Sequence, residues 1–230
     1  SRGLGDVYKR QVLRYSCTPA EYPTSLKELA YSIKFLREHA KEWHIDPHKI
    51  VVEGCSAGGH LAASLGVFWD EDFLAESQGL SASEHELLRP DGLLLCYPVI
   101  TSGEFAHRGS FENLLGSRQE ELGEKLSLEK QVTNKVPKTF IWHTFADQSV
   151  PVENSLLFVS ALRRAGVPTE FHMYEKGAHG LALANKLTET NDGRPVQEEC
   201  TSWVELAHTW LESLFAGDVE DGLHAQGREW

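Results

Sequence analysis

Three short runs of this chain carry residues that could do chemistry together. The first is Gly54-Cys55-Ser56-Ala57-Gly58, with an apolar run from Ile50 to Val52 before it and a helix-forming run, His60-Leu61-Ala62-Ala63-Ser64-Leu65, after it. A serine between two such glycines suits a sharp strand-to-helix turn that holds its hydroxyl clear of a sheet. Strand and helix approach closely there, so Gly54 and Gly58 are expected to be positions that cannot carry side chains. The helix points its N-terminus at the serine, and the Ala57 N–H becomes a candidate donor to a developing oxyanion. The second run is Asp147-Gln148-Ser149-Val150-Pro151, and the third is Gly177-Ala178-His179-Gly180.

A serine hydroxyl is a poor nucleophile at neutral pH. It needs a base within hydrogen-bond reach, and the base needs a carboxylate to orient it. Taken singly, each run has a plainer reading. The glycine-rich run could be an ordinary turn, Asp147 the cap of the helix that follows, and His179 a loop residue. Taken together, Ser56, Asp147 and His179 each stand just past a predicted strand. In a parallel sheet that gathers all three at the carboxyl edge. Asp70 and Asp72 come too early to compete. His143 and His172 lie within or at the ends of strands, where packing or a backbone hydrogen bond is expected. Packing is also expected of His60, on the elbow helix.

The elements that must position these residues can be read from period and punctuation. Residues 12–16, 49–53, 92–98, 138–143 and 169–174 read as strands. Ser25 and Glu28 have the spacing of a capping box. Leu26, Leu29, Ala30, Ile33, Leu36, Ala40 and Trp43 then recur at threes and fours, as one face of a helix does. Further helices are expected over residues 57–68, over 152–165 (ended by Gly166 and Pro168), and along Cys200, Trp203, Leu206, Ala207, Trp210, Leu211 and Leu214. The acidic stretch 69–90 is expected to be irregular, with one short helix, and 101–131 to be loop and short helix. Strands alternating with helices predict an α/β domain with a mostly parallel sheet covered on both faces.

Composition bounds the rest. The chain has 230 residues, 41% hydrophobic and 24% charged, as one globular α/β domain would. A net charge of −12 argues against nucleic acid and anionic membrane as partners. The strongest apolar run, Gly92 to Ile100, is too short for a membrane span. The eleven histidines contain no H-E-x-x-H, and Cys17, Cys55, Cys96 and Cys200 lie far apart with no C-x-x-C. No metal and no cofactor are expected, and the cysteines read as free thiols. No signal peptide is visible, so a cytoplasmic location is expected, with secretion left open by the chain's start. Oligomeric state is not legible.

The same runs carry a resemblance. The order Ser56, Asp147, His179 is that of the α/β-hydrolases. The elbow with Gly59 and His60, the run His107-Arg108-Gly109-Ser110-Phe111 with Leu114-Leu115-Gly116, and Trp142-His143-Thr144 also match the acetylxylan-esterase-like, carbohydrate-esterase branch of that superfamily, close to its esterase/lipase group. So do the Asp147 and His179 runs, and the resemblance covers roughly residues 12 to 215. It implies an α/β-hydrolase fold, with Ser56 as nucleophile, His179 as base, Asp147 as orienter and Ala57 as one oxyanion donor. It also implies hydrolysis of acetyl or other short-chain acyl esters of carbohydrate, such as acetylated xylo-oligosaccharides, through an acyl-enzyme. The partner would then be a small-molecule or oligosaccharide ester. Two rival readings are a peptidase of the prolyl-oligopeptidase type and a hydrolase-fold fragment or binding protein with impaired catalysis.

One departure stands out. Relatives carry a His-Gly-Gly-Gly-type loop ahead of the elbow, which supplies the second oxyanion donor, and no such run precedes Ser56. The first strands, about 40–70 residues by usual strand and loop sizes, are expected to be missing with it. Residues 1–11 resemble translated adapter sequence from a metagenomic fragment, 12–216 are expected to form the hydrolase domain, and 217–230 a flexible tail.

Overall fold

The computed structural model describes residues 8–190 and 196–216; the expected tail at 217–230 lies outside them, as do residues 1–7. In chain order the elements are α1 (Thr24–Glu38), α2 (Ala40–Trp43), β1 (Val51–Cys55), α3 (Ala57–Phe68), α4 (Asp72–Ser77), β2 (Gly92–Cys96), α5 (Arg108–Leu115), α6 (Gln119–Leu122), β3 (Thr139–Thr144), α7 (Glu153–Arg164), β4 (Thr169–Tyr174) and α8 (Trp203–Phe215). The four strands form one parallel sheet in the order β1-β2-β3-β4. All residues of β2 and β3 are buried, as their unbroken apolar runs require of central strands.

Side-chain alternation divides the core into two layers. Leu93, Leu95 and Ile141 point to one face, where they meet Leu26, Ala30 and Ile33 of α1, Leu61 and Leu65 of α3, and Phe158 and Leu162 of α7. Leu94, Cys96, Phe140 and Trp142 point to the other, against Trp203, Ala207 and Trp210 of α8. Helix α3 is buried at every residue from Gly59 to Phe68. That explains its nearly unbroken run of small and apolar residues: it lies between the sheet and α1. Among the described residues no helix is long and apolar enough to cross a membrane.

Residues 12–16 do not form the expected strand. Val12 is 89% exposed, while Leu13 and Tyr15 rest on the helical side of the core. Strand-like alternation places side chains on two faces, but a ladder also needs a partner, and here the backbone is captured differently. Glu28 accepts from the Ser16 N–H at 2.7 Å and from its Oγ at 2.6 Å. The expected capping box at Ser25 is therefore absent. Helix α1 begins two residues earlier, with Pro23 rather than Ser25 at its N-cap, and Glu28 holds the incoming chain rather than its own helix end. The long helical pattern is also broken at His39, so Ala40 and Trp43 belong to α2. The acidic stretch after α3 contains α4 and a 3-10 turn at Ala82–Leu87, which has a capping box of its own, Ser81 with Glu84.

Candidate active site

The turn between β1 and α3 is as sharp as its glycines suggested. Ser56 has φ 55° and ψ −121°, in the region L-residues avoid, at a cost of about 1–3 kcal/mol that surrounding structure must offset. The chain following β2 offsets it. The Ser56 N–H donates to Cys96 O at 3.0 Å, and the Val99 N–H donates to Ser56 O at 3.0 Å. A Cβ at Gly54 would lie 2.2 Å from Gly58 O, so that position excludes any side chain. Gly58 differs from the expectation. The nearest atom to a Cβ there is Tyr15 Oη at 3.8 Å, ordinary contact distance. The second sterically required glycine is Gly59, where a Cβ would meet Pro98 Cβ at 2.7 Å. Ala57 opens α3, so its N–H has no acceptor inside the helix.

The structure brings the three predicted side chains together. Ser56 Oγ lies 2.7 Å from His179 Nε2, and His179 Nδ1 lies 2.6 Å from Asp147 Oδ2. An ionised carboxylate only accepts, so Nδ1 carries the hydrogen and the bare Nε2 accepts the serine O–H. Asp147 Oδ1 accepts from the N–H groups of Ser149 and Val150, each at 2.9 Å. Burial acts to raise the Asp147 pKa, but hydrogen bonds from His143, His179 and the Val150 N–H, with the His179 charge, outweigh it. They hold the carboxyl well below the usual carboxylate range.

Three further residues shape this arrangement. Packing or a backbone bond is the sequence expectation for His143, and it does bond to backbone, with its Nε2 2.9 Å from Val150 O. The same nitrogen lies 3.3 Å from Asp147 Oδ2, and Nδ1 accepts from Ser155 Oγ at 2.8 Å. His143 thus grips both ends of the short loop that carries Asp147. Asn154, fully buried, uses its whole side-chain amide. Its Oδ1 accepts from the N–H groups of Ile100 and Thr101, and its Nδ2 donates to Phe105 O and Pro151 O. It ties the loop after β2 to the Asp147 loop. Tyr97 sets its ring edge-on to His179, with centroids 5.1 Å apart, and its Oη accepts from the Ala182 N–H at 3.2 Å. Polar residues near the Asp147 run in sequence hinted at the first two; nothing local marked Tyr97.

Comparison with known proteins agrees with this fold. The family model described as BD-FAE matches residues 13–162. The chain belongs to the BD-FAE family. It is an esterase-like α/β-hydrolase. Endo-1,4-beta-xylanase B of Butyrivibrio fibrisolvens is 42% identical over 164 residues, 70% of this chain and 25% of that protein. Acetylxylan esterase of Xylanibacter ruminicola is 28% identical over 178 residues, 75% of this chain and 34% of that protein. The chain therefore matches only a quarter to a third of the length of these curated relatives. Among solved structures, the acetyl ester-xyloside bifunctional hydrolase of Caldicellulosiruptor lactoaceticus superposes with a TM-score of 0.72 at 39% identity. That match covers 87% of this chain and 70% of the other.

Within this family member the rival residues other than His143 lie apart from the Ser56–His179–Asp147 chain of hydrogen bonds. His60 is buried, donates from Nε2 to Leu126 O at 2.9 Å and packs edge-on against Phe111; burial lowers its pKa to about 4. His172 pairs with Glu170 at 2.7 Å, Asp70 pairs with Lys135, and Asp72 lies 3.5 Å from His85. Among the described residues, the group of metal-ligating side chains close enough to share one ion is Glu53, Cys55 and Cys96.

Proposed function

We propose that this chain carries the catalytic site of a serine esterase that removes acetyl or other short-chain acyl groups from carbohydrate. The observation that carries the reading is the unbroken hydrogen-bond chain from Ser56 Oγ through His179 to a buried, ionised Asp147. In the proposed reaction Ser56 Oγ attacks the ester carbonyl while His179 Nε2 takes its proton. The Ala57 N–H, at the positive end of α3, donates to the oxyanion. His179 then returns the proton to the departing sugar oxygen, leaving an acyl-enzyme. Water, deprotonated by the same nitrogen, clears the acyl group. Asp147 keeps the hydrogen on Nδ1 throughout. Each proton transfer uses a protein side chain, so the reaction is proposed without a cofactor.

The carbohydrate part of the reading is supported by relatives named as an acetylxylan esterase and an acetyl ester-xyloside bifunctional hydrolase. The test compares wild type with Ser56→Ala on acetylated xylo-oligosaccharide, a simple activated acetate ester and a proline-containing peptide. Acetate release from the sugar, lost in Ser56→Ala, is the expected result. Cleavage of the peptide in preference to either ester would replace this reading with the peptidase.

A further inference from the structure

Strands β1 and β2 place Cys55 directly opposite Cys96. Opposed residues of parallel strands point to the same face, and Glu53, two residues along β1, shares it. The two sulfurs and a Glu53 carboxylate oxygen lie within 4.8 Å of one another. All four cysteines are free thiols. Cys55 and Glu53 are exposed and Cys96 is buried, so the cluster opens to solvent on one side and is anchored in the core on the other.

The surroundings suit deprotonated sulfur. The Trp142 Nε1–H is buried without a hydrogen-bond partner, although Trp142 stands opposite Cys96 in the β2–β3 register. The hydrogen bond with Cys96 and then the Tyr97 hydroxyl lower the Cys55 thiol against its burial, and the Trp142 indole acts the same way on Cys96. Burial, with the hydrogen bond and charge of Cys55, pushes the Cys96 thiol strongly up. A divalent cation bound to both sulfurs would offset this and bring them to the thiolate form.

We propose that Glu53, Cys55 and Cys96 form a binding site for a thiophilic divalent cation of the zinc class, with water at the open position. Two thiolates and one carboxylate are a donor set that prefers zinc or cadmium to magnesium or calcium. The indole of Trp142 would act as an outer donor to a ligand sulfur, the usual partner that fixes a metal ligand. Cys55 adjoins Ser56, and Cys96 O holds the Ser56 N–H, so the cation would sit beside the elbow itself. Sequence spacing does not reveal this site, because its ligands come from two strands 41 residues apart that only the sheet register brings together.

The test is titration of the purified chain with Cd²⁺ alone, in buffer free of thiols and chelators, reading thiolate-to-cadmium charge-transfer absorbance. One saturable equivalent, displaced by Zn²⁺, is expected. Cys55→Ser should abolish the band, Glu53→Gln should weaken affinity by about tenfold or more, and Cys17→Ser, outside the cluster, should leave it unchanged. Cys96→Ser disturbs the core, so Cys55→Ser and Glu53→Gln, at exposed positions, decide the matter, with circular dichroism confirming their fold. No band in the wild type, or a band that survives Cys55→Ser, would overturn the proposal. Neither outcome depends on ester hydrolysis.

Discussion

Replacing Asp147 by Asn tests how the site sets the His179 tautomer. The two side chains are nearly the same size, so packing is preserved and only hydrogen-bond polarity changes. The structure dictates which way the amide must face. Two backbone N–H groups, from Ser149 and Val150, donate to Oδ1. The amide oxygen must stay there, because an NH₂ group would leave both donors unpaired, at roughly 1–3 kcal/mol each. The NH₂ group then faces His179 Nδ1 and the Nε2–H of His143, which now oppose donor to donor. His179 can meet it only by accepting at Nδ1, which moves its hydrogen to Nε2, where it faces Ser56. A protonated Nε2 cannot take the serine proton. In the Ser-His-Asp triad of serine proteases the same exchange costs about 10⁴ in kcat, or roughly 5.5 kcal/mol of barrier, and a loss of that order is expected here. The assay is steady-state hydrolysis of an activated acetate ester at neutral pH, with the fold checked by circular dichroism. A fall in kcat of less than about tenfold, with the fold intact, would show that Asp147 does not set the tautomer and would refute the reasoning.

Other expectations concern neighbouring parts of the molecule. His143→Phe keeps a ring of similar size but leaves Val150 O and Ser155 Oγ without their partner; the urea midpoint should fall by the equivalent of about 1–3 kcal/mol, and kcat should fall with it. An unchanged midpoint would mean that His143 only fills space. Gly58→Ala should fold and retain most activity, whereas Gly59→Ala should be poorly soluble because its Cβ meets Pro98; soluble expression and turnover of the two variants compare them directly. His60 gives an acid-stability test. Its pKa falls from 6.5 unfolded to about 4 folded, so its contribution is complete above pH 6.5. As pH drops toward 4 the unfolded chain takes up a proton that the folded one refuses, and stability is lost, by up to roughly 3 kcal/mol. Urea midpoints across that window should fall less steeply for His60→Gln than for wild type, and equal slopes would refute the assignment.

Much of this protein was legible along the chain because its signals are local. Apolar runs marked β2 and β3, threefold and fourfold spacing marked α1 and α8, and Gly166 marked the end of α7, where it adopts φ 75°. Ser56, Asp147 and His179 could be picked out because each follows its own strand, and parallel strands deliver their ends to one edge. What failed depended on partners distant in sequence. Residues 12–16 alternate like a strand, yet alternation sets only which face a side chain takes; pairing needs a neighbouring backbone, and Glu28 claimed Ser16 instead. Gly58 looked as constrained as Gly54 because both flank the serine, but crowding is a matter of what approaches from across the turn, and Pro98 approaches Gly59. The contact of His143 with Asp147, the four-bonded Asn154 and the meeting of Cys55 with Cys96 follow from loop closure and strand register. Those are fixed only when the buried faces of the sheet find their helices, since a one-residue slip would turn every side chain to the opposite face.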